Sequence, residues 1–267
     1  MNNKSTIIIA ALCLGASISA VSVRGQDVAA ENSFNPAMSL SIVVEKDSYL
    51  PWEPITVRTR FENETKGPLP TLVPYVINDA SILIEAGSEK REFGELTVLR
   101  SLMVRQHVVA GPGQGFDQEF VLERALDELM PKPGIYVLRL VLNSGGGKRI
   151  ISNPVAIKID AATGIDAEAL EFIAKNKTHS SYPVLFSWKA EAKTETGKTL
   201  LEEFVSRFER SAYGDYAILQ LGNYYFARRE FERAKAELNK VRNSPILKVA
   251  TDARGRLADV EKAESFR

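Results

Sequence analysis

The segment of this 267-residue chain that comes nearest to a catalytic motif is Ala192-Lys193-Thr194-Glu195-Thr196-Gly197-Lys198-Thr199. It ends in the Gly-Lys-Thr of a phosphate-binding loop, whose amides cradle phosphate while the lysine neutralises it. That chemistry needs several glycines and a downstream apolar run ending in a metal-binding Asp. Only Gly197 is present and no such run follows, so the segment reads as a turn leading into a capped helix. Gly145-Gly146-Gly147-Lys148 lacks a following Ser or Thr and reads as a hairpin tip, as does Gly111-Pro112-Gly113-Gln114-Gly115. His107 and His179 fall in different halves, and neither joins a Ser-His-Asp set or a His-rich metal cluster. Acidic pairs such as Asp127/Glu128 and Glu202/Glu203 read as solvated faces rather than an acid/base pair. Arg228, Arg229 and Arg233 cluster at one turn, where Glu230, Glu232 and Glu237 balance them. The alternative for these arginines is a contact with an anionic partner.

Composition narrows the classes further. Apolar residues make up 45% and charged residues 25%, enough for a proper core. Lys and Arg number 34, as do Asp and Glu; removing Lys4 and Arg24 with an N-terminal leader leaves 32 against 34. There is no basic excess to attract nucleic acid. The single cysteine, Cys13, lies inside that leader, so zinc fingers, iron–sulfur sites, disulfide frameworks and cysteine nucleophiles are excluded. Residues 1–25 read as a secretory signal: Lys4, the apolar run from Ile7 to Ala16, then small residues around Ala20-Val21-Ser22. The apolar run is too short to span a bilayer, and no other stretch is long enough. The expected location is periplasmic or extracellular, with cleavage between about residues 19 and 25.

The elements that would position any site divide at residue 160. Residues 26–38 read as a tether. From Ser39 the apolar period is two: Leu40, Ile42 and Val44, then Ile55, Val57, Thr59 and Phe61. Further strands are expected at Ala80–Glu85, Glu95–Leu99, Phe116–Leu122, Ile135–Leu142 and Pro154–Ile159, with Gly/Pro turns between them. About seven short strands without a helical period predict an antiparallel β-sandwich over 39–160. Asp47-Ser48-Tyr49-Leu50-Pro51-Trp52-Glu53-Pro54-Ile55, Pro133-Gly134-Ile135-Tyr136 and Ser152-Asn153-Pro154-Val155 resemble the opening and last strands of exported bacterial immunoglobulin-like domains. This chain has Trp52 where such domains carry glycine.

Beyond residue 160 the period becomes helical. Asp166 is placed to cap a helix through Ala169, Leu170, Phe172 and Ile173. Thr199 and Glu202 form a capping box ahead of Leu200, Phe204 and Phe208. Ile218, Leu221-Gly222 and Tyr225 share one helical face; Arg228-Arg229-Glu230 makes a turn; Phe231, Ala234, Leu238 and Val241 form the next face, which Pro245 stops. Small residues at Gly222 and Ala234 let two helices approach closely. From Asp215 to Pro245 this spacing resembles the tetratricopeptide repeat. The resemblance implies a short helical-repeat domain over 161–267 whose first helix lines a groove at Tyr216, Leu219, Asn223, Phe226 and Ala227. Asn223 would hydrogen-bond a peptide backbone, and Phe226 would anchor an apolar side chain.

The expected fold is therefore multidomain all-β plus all-α: an immunoglobulin-like antiparallel β-sandwich followed by a short repeat-like helical domain. The expected role is non-catalytic binding or scaffolding in the bacterial envelope, with a protein or peptide partner on the helical half. No cofactor or metal is expected, no nucleic acid, and no transmembrane segment in the mature chain. The alternatives are a protease-inhibitor-like or carbohydrate-binding sandwich using the loops at 111–115 and 145–147, and a hydrolase with an acidic site.

Overall fold

A computed structural model describes residues 35, 37–72, 80–94, 107–122, 132–143, 148–176 and 194–265. The expected leader, the strand at Glu95–Leu99, the loop at 145–147, Asp127/Glu128 and His179 lie outside the described residues, as does the side chain of His107. Eleven strands are described: β1 (Ser39–Val44), β2 (Ser48–Tyr49), β3 (Thr56–Glu62), β4 (Leu69–Leu72), β5 (Ala80–Ala86), β6 (Glu89–Gly94), β7 (His107–Ala110), β8 (Gly115–Val121), β9 (Gly134–Asn143), β10 (Arg149–Ile151) and β11 (Val155–Ile159). Five helices follow: α1 (Gly164–Lys175), α2 (Glu195–Phe208), α3 (Gly214–Ala227), α4 (Phe231–Val241) and α5 (Leu247–Ser265).

The strands form three sheets. One has the order β1-β3-β8, one the order β2-β11-β9-β5-β6 with β10 also on β9, and β4 pairs β7. Alternation dictates the inner face of the first: Leu40, Ile42, Val57, Phe61 and Phe120 are buried, while Ser41, Val43, Arg58, Arg60, Asp117 and Glu119 point outward. Ile82, Ile84, Leu138, Leu140, Ile157 and Ile159 supply buried side chains from the second. β1 has an edge beyond β3, and Asn153 closes it by accepting from Ile42 N at 2.8 Å and donating to Ile42 O at 3.1 Å.

The structure corrects the expected fold class. The chain is not an all-β immunoglobulin-like sandwich followed by a helical-repeat domain; it is a mixed α and β structure with several sheets. β2 runs parallel to β11, with Ser48 opposite Lys158. A two-layer sandwich leaves each sheet a wet face, yet Ser81, Leu83 and Val141, on the second face of the six-stranded sheet, are buried too. One contiguous cluster runs from Met38 and Leu40 through the strands to Ala253 and Val260 in α5. Tyr213 is fully buried and donates to Pro51 O at 2.7 Å; Asp166 Oδ1 accepts from Ala212 N at 2.7 Å. Periodicity reveals which residues of an element face inward, but not which other element they meet. For that reason the joining of helices to sheets is not legible in the sequence.

Local starts and turns also shift. α2 begins at Glu195, not after Thr199: Thr194 Oγ1 accepts from Gly197 N at 3.1 Å, and the Thr199 hydroxyl donates to Glu195 O at 3.0 Å. Asp166 is not the cap of α1; Thr163 occupies that position. The 111–115 turn is no hairpin tip, because β7 pairs β4 and β8 pairs β3. Trp52 adopts φ +62°, so the turn keeps the left-handed conformation that glycine would take without strain. The close approach of α3 and α4 is present as read. A Cβ on Gly222 would lie 2.7 Å from Leu238 Cγ, and Leu238 is fully buried. Gly222→Ala gains at most ~1 kcal/mol of helix propensity but costs about 1–3 kcal/mol in overpacking. The expected outcome is a net loss of about 1–2 kcal/mol in a urea titration; a gain would mean the two helices separate freely.

Candidate functional site

Two surfaces carry chemistry. The first is the helical face expected from the sequence. Tyr216 and Leu219 are buried there rather than open. The Tyr216 hydroxyl donates to Glu53 Oε1 at 3.3 Å. Glu53 is itself only 2% exposed; it ion-pairs with Lys46 and accepts from Leu50 N at 3.0 Å. Burial, reinforced by the Glu53 charge, pushes the hydroxyls of Tyr213 and Tyr216 far above the ordinary phenol range. Desolvation likewise pushes Tyr49 up to about 12. The Tyr213 and Tyr216 hydroxyls tie α3 and its start to the turn between β2 and β3, while the Tyr49 hydroxyl accepts locally from Lys46 N at 3.0 Å.

Asn223 and Phe226 lie together under α5. Arg256 Nε donates to Asn223 Oδ1 at 3.0 Å, and its guanidinium sits 4.6 Å from the Phe226 ring centroid. Asn223 Nδ2 is buried and has no hydrogen-bond partner among the described residues. Ala227 is exposed at the end of the helix. The five residues therefore divide: two in the core, two beneath Arg256, one open. Arg256 is not foreseeable from the sequence. It lies 33 residues from Asn223, and no periodicity within a single helix points to it.

The end of α3 is a Schellman turn. Glu230 N donates to Tyr225 O at 2.9 Å, and Arg229 N donates to Phe226 O at 2.9 Å. Arg229 occupies the left-handed position at φ +61°, where glycine is usual. Its neighbours are engaged: Arg233 Nη1 lies 2.9 Å from Glu230 and Arg228 Nη2 3.6 Å from Glu195. The exposed Arg229 side chain has no ion-pair or hydrogen-bond partner among the described residues.

The second surface is the outer face of β1-β3-β8, which holds a cavity of about 390 Å³. The register places Val43 opposite Arg58 and Arg58 opposite Glu119; one rung along, Ser41 lies opposite Arg60 and Arg60 opposite Asp117. Arg58 Nε donates to Glu119 Oε2 at 3.2 Å, while Lys248 Nζ lies 3.5 Å from Glu119 Oε1. Val43, on the edge strand β1 of this charged face, is 57% exposed. The same alternation that shows β1 and β3 to be strands also places their side chains on one face. It cannot bring β8 beside them, because that pairing joins positions 53 to 65 residues apart, from Glu62–Gly115 to Thr56–Val121.

The remaining motif residues are spent locally. Gly197, Lys198 and Thr199 sit in the first turns of α2, with Lys198 Nζ 3.7 Å from Glu195 and 3.8 Å from Glu202. Hydrogen bonds from Tyr224 to Glu195 and from Lys158 and Ser48 to Asp160 hold both carboxyls below their usual range. Ser81 and then Arg149 do the same for Glu92. A general acid needs the opposite direction. Among the described residues no group of three His, Cys, Asp or Glu is placed to hold a metal ion.

No family model matches the chain, and no curated protein matches it. The solved structures it resembles include the sporulation control protein Spo0M of Bacillus subtilis, at 15% identity and TM-score 0.29, over 52% of this chain and 55% of that one. A β-glucosidase from Erythrobacter marinus matches at 14% identity and TM-score 0.26, over 46% of this chain and 16% of that one. A CARDB domain from Pyrococcus furiosus matches at 7% identity and TM-score 0.24, over 47% of this chain and 94% of that one. The chain thus spans about half of the first protein and about a sixth of the second. At these TM-scores the likenesses carry no argument about fold or function.

Proposed function

We propose that the protein is an exported, non-catalytic binding protein of the bacterial envelope, whose helical half takes an acidic polypeptide at the α3–α4 turn. Residues 1–25 act as the leader, and a tether follows from residue 26 up to Met38, which enters the core. Arg229 carries the reading. A left-handed arginine costs roughly 1–2 kcal/mol that glycine would avoid, and among the described residues its side chain makes no ion pair or hydrogen bond that offsets this cost. A partner carboxylate would supply one. Ala227, exposed at the end of α3, offers apolar surface to the same ligand. No helix among the described residues is long and apolar enough to cross a membrane.

Arg229→Gly separates stability from binding. It is expected to raise the unfolding free energy by about 1 kcal/mol and at the same time to abolish crosslinking from a photoreactive residue at position 227 to its envelope partner. Arg229→Glu should abolish the crosslink too. Crosslinks that persist in both variants would overturn the reading. So would an Arg229→Gly protein less stable than the parent, since the arginine would then have a structural role.

A further inference from the structure

We propose that the cavity on the outer face of β1-β3-β8 binds a small zwitterion, an aliphatic amino acid or dipeptide. Arg58 takes the carboxylate, Asp117 the ammonium, and Val43 the apolar side chain. This site is separate from the α3–α4 turn and does not depend on it.

The donors and acceptors left to use on this face decide what it can hold. Arg58 is half-exposed and engages only its Nε, leaving both terminal nitrogens without partners among the described residues. These two nitrogens form the edge that takes a carboxylate in bidentate fashion. Glu119 does not depend on Arg58 for its neutralisation, because Lys248 lies on its other oxygen and is in turn 2.8 Å from Asp252. Arg58 can therefore turn its outer edge to a ligand without stranding Glu119. Among the described residues Asp117 receives only two long contacts of 3.3 Å, both from Arg60 Nη1, and it is 72% exposed. Its oxygens retain capacity for an ammonium. Ser41 is exposed, and its hydroxyl is uncommitted among the described residues.

Charge and size select the ligand class. Glu62, Asp117, Glu119 and Asp252 outnumber Arg58, Arg60 and Lys248, so a simple anion meets a slightly adverse field, whereas a zwitterion is neutral overall. A cavity of about 390 Å³ lies at the small end of ligand sites and suits one or two residues. Val43, directly opposite Arg58, puts exposed methyl groups beside the carboxylate position, where an aliphatic side chain would lie.

The probe is L-leucyl-L-valine, titrated into the full-length mature protein and followed by methyl NMR of Val43 and by calorimetry. Saturable binding is expected. The C-terminal amide and the N-acetyl form should each bind at least tenfold more weakly. Arg58→Gln should weaken the free dipeptide at least tenfold while leaving its amide unchanged, and it should fold normally, because the pair it breaks is exposed. Absence of a saturable Val43 shift would overturn the site. Equal affinity for acid and amide would overturn the Arg58 role, and equal affinity for the N-acetyl form would overturn the Asp117 role.

Discussion

Gly214→Ala is expected to destabilise the protein by about 3 kcal/mol or more, at the upper end of overpacking costs. Gly214 opens α3, and a Cβ there would lie 2.0 Å from Glu209 O and 2.6 Å from Glu209 C. The obstacle is backbone, so no rotamer change relieves it. Nor can the turn yield easily. Gly214 N donates to Ser211 O at 2.9 Å, Ser211 N to Phe208 O at 2.9 Å, and Ala212 N to Asp166 at 2.7 Å. Moving Gly214 also moves Tyr213, which is buried on Pro51 O, so the damage reaches the contact between helices and sheets. For a protein of this size the loss corresponds to a fall in Tm of roughly 6–12 °C. Gly255→Ala in α5, with nothing within 4 Å of the new Cβ, is the control and should gain up to about 1 kcal/mol. Melting of Gly214→Ala within about 2 °C of the parent would show that the α2–α3 turn can relax.

Asn63→Ala should cost about 3–4 kcal/mol, because it strands the buried carbonyl of Ala110 together with the part-buried groups of Gly67 and Thr65. Asn63 is fully buried and uses every side-chain donor and acceptor site. Nδ2 donates to Gly67 O and Ala110 O, each at 2.8 Å; Oδ1 accepts from Thr65 N at 2.9 Å and Thr65 Oγ1 at 2.7 Å. Its backbone joins the turn before β8 through Asn63 N to Gln114 O and Gly113 N to Asn63 O. The side chain thus ties the end of β3 to the β3–β4 turn and the end of β7, while the backbone of the same residue reaches the turn before β8. Asn63→Asp keeps the shape but aims an oxygen at two carbonyls, so at pH 7 it should be no better than alanine. Protonation of that carboxyl restores one donor, so its loss should shrink as pH falls, in a series of denaturant titrations. Aspartate tolerated as well as asparagine at pH 7 would contradict this role. The same substitution should disturb the β3–β8 register, and with it the placing of Asp117 and Glu119 across from Arg60 and Arg58.

The turn at Arg229 shows how far a local pattern reaches. Phe226, Ala227 and the arginine turn are visible in sequence because a helix, its stop and the next helix are short-range features. Gly222 against Leu238 is visible for the same reason: a small residue set on an apolar helical face marks the point where a neighbouring helix comes close. Inward and outward positions along β1, β3 and β9 follow directly from a period of two. So does the outward row that Arg58 and Arg60 form with Ser41 and Val43, once β1 and β3 are paired.

What the residues could not settle alone is partnership over distance. Arg256 on Asn223 and Phe226, Tyr213 on Pro51, Tyr216 on Glu53, and β8 beside β3 join positions from 30 to 163 residues apart. A residue's type limits what it can bond, and its place in a period says which way it faces. Neither says which of several apolar or polar faces will meet it. That choice is made by the whole packing arrangement, through burial shared among many side chains. The sequence by itself therefore determined the main strands β1, β3, β5, β8, β9 and β11 and the helical second part, with the apolar face of each, but not the short strands β2, β4, β6, β7 and β10 or the start of α2. Only the tertiary structure decided that sheets and helices share one core, that α5 covers the face expected to be a groove, and that an uncommitted arginine edge stands over a cavity on β1-β3-β8.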